Sequence, residues 1–174
     1  MKGSIGLWQL FGFAITSFIG TLLHFLYEWT SESVWISPFS GVNESTWEHM
    51  KLLFWPMFVF GLVQWVFFRD KKGFWCVKLR GMLIGLGLIP IIFYTYNGAI
   101  GKSPDWVNIA IFFISAAAAF IVEYRYFNKE KISYKYSRMS FAILCIIGGL
   151  FIFFTFITPT LGIFQDPITK AYGI

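Results

Sequence analysis

Five long apolar runs, separated by short polar segments, set the plan of this chain. They predict helices over about 5–28, 46–68, 75–96, 104–126 and 139–157, followed by a polar tail over 159–174. Each run is about 19 to 24 residues long, enough for an α-helix to cross a hydrocarbon layer of about 30 Å. The expected architecture is an all-α bundle of five transmembrane helices in a single domain, residues 1–174.

Polar punctuation marks the helix ends. Ser45-Thr46-Trp47-Glu48 fits a capping box, in which Ser45 accepts from the amide of Glu48 and Glu48 reaches back. Arg69 to Gly73 closes the second helix, and Ser103-Pro104-Asp105 predicts the start of the fourth, with Ser103 as cap. Pro56 and Pro90 lie inside apolar runs, where kinks are expected. The first run is longer than a signal-peptide core and lacks a small-residue cleavage pattern, so it reads as a retained helix.

Composition agrees. Hydrophobic residues make up 57% of the chain and charged residues 13%, with 22 Phe and 8 Trp. Mean hydropathy is +0.65. A water-soluble domain of this size could not cover so much apolar surface. Cys76 and Cys145 fall in different helices without metal-type spacing, and no disulfide is expected.

Charge gives an orientation. Lys2, the loop after the second helix and the loop after the fourth hold eleven of the fourteen Lys and Arg, including Lys129, Lys131 and Lys135, with three acids. The other side holds Lys51, Lys102 and Lys170 with six acids, a balance of +8 against −3. The positive-inside rule then puts the N-terminus in the cytoplasm and the C-terminus outside. The net charge of +5 is thus a topology signal and excludes a nucleic-acid footprint.

Candidate chemistry gathers on the outer side. His24 and Glu28 form an i,i+4 pair about 6 Å apart along the first helix. Asn43, Glu44, Ser45, Trp47, Glu48, His49 and Lys51 follow one short connection later, which makes the first two helices antiparallel neighbours. Asp105 and Asn108 share a face of the fourth helix, and Asp166-Pro167 is either a turn or a lid over the site. Three readings compete. In the first, Ser45 and Glu48 only cap a helix, Lys51 pairs with Glu48 or Glu44, and His24 bonds within the bundle. In the second, His24, Glu28, Glu44, Glu48 and His49 hold a divalent metal such as zinc. In the third, His24, Glu28 and Glu48 perform acid/base chemistry on a membrane-soluble substrate. Asn43, Ser45, Trp47, Asp105, Asn108 and Asp166 are the candidate ligand contacts. Elsewhere, Glu123 and Arg125 read as an interfacial charge pair, and Tyr94 and Tyr96 as an aromatic belt. Gly81, Gly85, Gly148 and Gly149 form small-residue faces that could dock a second copy or a transporter partner.

The stretch Val42-Asn43-Glu44-Ser45-Thr46-Trp47-Glu48-His49-Met50-Lys51, with Leu23 to Trp29, Pro56, Phe164 to Pro167 and Tyr172 to Ile174, resembles a family of small bacterial membrane proteins of unknown function. The resemblance covers most of the chain. It implies a bacterial inner-membrane setting and brings no activity. His24 and Glu28 alone are similar to the His-x-x-x-Glu of sterol isomerase-like five-helix proteins. The expected function is binding or transport of a cation or small polar ligand in an outward-facing His/carboxylate pocket. The alternatives are a membrane enzyme acting on a lipid-like substrate and a substrate-capture subunit of a transporter.

Overall fold

A computed structural model describes residues 2–128 and 135–174. Lys129 and Lys131, used above for orientation, and Glu130, one of the three acids counted with them, lie outside the described residues. Five helices follow in order: α1 Lys2–Trp29, α2 Thr46–Phe67, α3 Phe74–Ala99, α4 Asp105–Phe127 and α5 Ser137–Phe156, with a 3-10 turn at Gly162–Phe164 in the tail. All five are long and apolar enough to cross a membrane. The protein is a multi-pass, all-α membrane protein.

α2 is the central helix. Half of its most apolar stretch is buried inside the bundle, against 22% for α1 and 28% for α5. It packs on α1, α3 and α5, while α4 fills the space between α1 and α3. Its core residues Leu53, Phe54 and Met57 have no exposed surface. The outward faces of α1 and α5 stay apolar, as lipid requires.

Glycines set the closest approaches. A Cβ on Gly81 would come within 2.5 Å of Glu123 Cγ, and one on Gly85 within 3.1 Å of Ala119 Cβ, so both seat α4 against α3. A Cβ on Gly148 would meet Phe54 and Trp55 of α2 at 3.3 Å. Three of the four glycines expected to dock a partner are therefore used within the chain. Of the four, Gly149 alone faces open space.

The expected Glu123–Arg125 surface pair is replaced by another. Glu123 is fully buried and its Oε2 accepts from Lys78 Nζ at 2.7 Å. Lys78, assigned above to the basic side, is itself fully buried, so the two charges cancel inside the bundle. The start of α4 also differs by one residue. Pro104, not Ser103, occupies the cap position, because Ser103 is held by Asn97 and Asn108.

Candidate functional site: a cavity at the α1–α2 connection

Ser45 caps α2 as expected, accepting from the Glu48 amide at 3.4 Å. The return half of the box is missing. Asn43 Oδ1 takes the Ser45 amide at 2.9 Å, and Glu48 turns away to accept from the Val42 amide at 3.0 Å. Glu48 also pairs with Lys51 at 2.6 Å. The Lys51 ammonium spends its other two protons on the Ser37 carbonyl at 2.8 Å and Thr155 Oγ1 at 3.0 Å. One buried cation thus ties the α1–α2 connection, α2 and α5 together with all three donors used.

The connection is also stitched to α1. The Ser40 hydroxyl donates to the Leu23 carbonyl and accepts from the Tyr27 amide at 3.0 Å. Leu23 and Tyr27 are the two ends of an i→i−4 step, so a side chain from the loop is inserted into the helix ladder. His24 sits in that turn. A Cβ on Gly41 would lie 3.5 Å from His24 Nδ1, so the loop backbone runs along the ring.

This arrangement brings His24, Glu44 and His49 together. His24 Nε2 stands 3.5 Å from Glu44 Oε1, and His49 Nε2 stands 3.6 Å from Glu44 Oε2. The two imidazoles are 5.6 Å apart. His49 Nδ1 lies 2.9 Å from the Ser45 carbonyl, which can only accept, so Nδ1 carries a hydrogen. The Nε2 of a neutral His49 would then aim a lone pair at a carboxylate. The contact is attractive only when a proton, or a donor from a bound molecule, lies between them.

The trio forms one wall of a cavity of about 470 Å³. Phe93, Phe112 and Phe113 make an apolar wall, and Asn97, Lys102, Ser103, Asp105 and Asn108 a second polar edge. Asp105 and Asn108 were expected at the site; Asn97, Lys102 and Ser103 were not. Ser103 is not free to act as a nucleophile's hydroxyl, since it donates to Asn108 at 2.8 Å. The cue available in the sequence was the cluster of Asn97, Ser103 and Asn108 around one turn.

Several expected site residues lie elsewhere. Glu28 is exposed, and no ion pair among the described residues joins it to His24. Glu48 faces Lys51 and does not line the cavity. Trp47 is packed among Phe151, Phe154 and Phe164. Asn43 secures the tail by donating to the Gly173 carbonyl at 3.1 Å. Among the described residues no group of three or more His, Cys, Asp or Glu side chains is placed to hold a metal ion. The capping role holds for Ser45.

The tail contributes through Asp166 without Asp166 itself lining the cavity. Its carboxylate accepts from the amides of Ile168 at 2.6 Å and Thr169 at 3.1 Å, and this turn presents Pro167 and Ile168 to the cavity. Burial raises the Asp166 carboxyl. Hydrogen bonds from the Ile168 and Thr169 amides, the Thr169 hydroxyl and the Glu44 amide outweigh it and hold the group below the usual aspartate range.

A family of unknown function (DUF6512) matches residues 2–174. The chain belongs to this family. No curated protein and no solved structure matches it. For this DUF6512 member, function must be argued from the cavity.

Proposed function

We propose that this protein binds a small amphiphilic ligand whose cationic or hydrogen-bond-donating head meets Glu44 between His24 and His49. The apolar body lies against Phe93, Phe112 and Phe113. The observation that carries this reading is the convergence of three polar side chains, from α1, the loop and α2, on one wall of a cavity that Phe93, Phe112 and Phe113 also line. Pockets of a few hundred Å³ with apolar walls and a few convergent polar groups suit small ligands. Glu44 and Asp105 outnumber the single Lys102, and phenyl faces attract ammonium groups, so a cation is favoured over an anion. The Lys and Arg distribution supports placing this end outside the cytoplasm, and the family resemblance implies a bacterial inner membrane.

The test is binding of dodecylamine against dodecanol to the purified protein, followed by intrinsic tryptophan fluorescence. The amine should bind at least tenfold more tightly, and Glu44→Gln should remove that preference. Equal binding of the two compounds to the wild type would overturn the reading.

A further inference from the structure

The cavity is one of two polar layers. His24 on α1, His49 on α2 and Asn108 on α4 line it. Fifteen residues along each of these helices, on the side away from the cavity, stand Gln9, Gln64 and Glu123. Fifteen residues are about four turns and about 22 Å, so each helix carries the second polar group within about 60° of the face that bears the first.

The second group of side chains lies at one level of the bundle. A Cβ on Gly12 would touch both Phe60 and Phe120, at 2.5 and 2.6 Å, and those two rings flank Lys78 Nζ at 5.7 and 5.4 Å. Gln9, Gln64 and Glu123 each lie three or four residues beyond Gly12, Phe60 and Phe120, one turn further from the cavity. Gln9 is 4% exposed, Gln64 1%, and Lys78 and Glu123 have no exposed surface. Yet Gln9 Oε1 and Nε2, Gln64 Oε1 and Glu123 Oε1 make no hydrogen bond within the chain. Between the layers, the buried hydroxyls of Thr16, Ser17 and Ser115 are unpartnered too.

Orphaned polar groups are costly in a hydrocarbon setting, and ionisable groups within spans mark ion or proton pathways. A file of water running past the hydroxyls on α1 and α4 would satisfy these groups together. Lys78 and Glu123 supply an acid and a base that exchange a proton without leaving net charge behind.

We propose that Gln9, Gln64, Lys78 and Glu123 form a second, hydrated site that carries protons between the cavity and the opposite end of the bundle. A proton entering from the cavity passes along water beside Ser17 and Ser115 to the free oxygen of Glu123. Lys78 releases a proton to water on the far side and regains one from Glu123 across their hydrogen bond, so both residues return to their starting charge. Among the described residues, the charged groups facing this site are Lys78 from α3 and Glu123 from α4, while α1 and α2 contribute the amides of Gln9 and Gln64. The proposal does not rest on the cavity's ligand.

The test uses the full chain in phosphatidylcholine vesicles holding a pH-sensitive dye, with a potassium diffusion potential driving proton entry. Wild-type vesicles should acidify faster than protein-free ones. Glu123→Gln and Ser115→Val should reduce the protein-dependent rate at least tenfold, and Tyr124→Phe, on the exposed side of α4, should not. Glu123→Gln leaves Lys78 without its partner, so Lys78→Gln/Glu123→Gln is made beside it to keep a folded, uncharged site; it should also lose the flux. Wild-type flux equal to that of protein-free vesicles, or a folded double variant conducting like wild type, would overturn the proposal.

Discussion

His49 Nδ1 lies 2.9 Å from the carbonyl of Ser45, four residues earlier. That contact fixes which ring nitrogen carries the hydrogen and turns Nε2 toward Glu44. Nitrogen-15 NMR of histidine-labelled protein should therefore show His49 with Nδ1 protonated at every pH, as the Nδ1–H tautomer or as imidazolium. A neutral Nε2–H tautomer at any pH would refute the geometry.

Lys51 and Glu48 predict an asymmetry between breaking and removing a charge pair. Lys51 has no exposed surface and Glu48 is 3% exposed. Glu48→Ala strands an ammonium and should cost about 3–5 kcal/mol. Replacing both, as Lys51→Met with Glu48→Leu, should recover much of that loss. Equilibrium unfolding in detergent micelles measures both; a double variant as weak as the single one would show that the pair itself supplies the stability.

Gly81 and Gly149 should respond oppositely to the same added methyl group. At Gly81 the new Cβ falls 2.5 Å from Glu123 Cγ and 3.0 Å from the Ala119 carbonyl, so Gly81→Ala should destabilise by about 1–3 kcal/mol. At Gly149 nothing lies within 4 Å, and Gly149→Ala should leave the unfolding midpoint unchanged or slightly raised.

Acid should loosen the tail. The Asp166 carboxyl is held below its ordinary range in the folded protein, so it binds fewer protons folded than unfolded. Its contribution to stability is present in full above the unfolded value of about 3.9 and is lost as pH falls through the lower folded value. Amide exchange at Ile168 and Thr169, once corrected for its intrinsic pH dependence, should accelerate only below about pH 4. In Asp166→Asn it should be fast at neutral pH as well. Unchanged exchange in Asp166→Asn would remove the carboxylate from the account of the turn.

The helices were legible because lipid imposes a length and water a charge pattern, and both are local. The α2 start was legible for the same reason, since Ser45 and the Glu48 amide are three residues apart. Partners were harder. Glu28 has the right helical phase to meet His24, but the inserted Ser40 and the Gly41 backbone occupy the space beside that turn and deliver Glu44 instead. Glu123 looked like a partner for Arg125, two residues away; its real partner Lys78 is 45 positions off, on a helix brought near by Gly81. The aromatic wall at Phe93 and Phe112 depends on how α3 meets α4, which no single run records.

The Ser40 hydroxyl between Leu23 and Tyr27 also sets an order of assembly. While α1 alone has entered the bilayer, its Tyr27 amide must bond the Leu23 carbonyl directly, as in any helix. Ser40 is made 13 residues after Tyr27, so this tie cannot form until the connection has been synthesised. Ser40 then gives each of those two backbone groups a partner outside the helix. The cavity wall is completed later still, because Glu44 and His49 follow Ser40 in the chain.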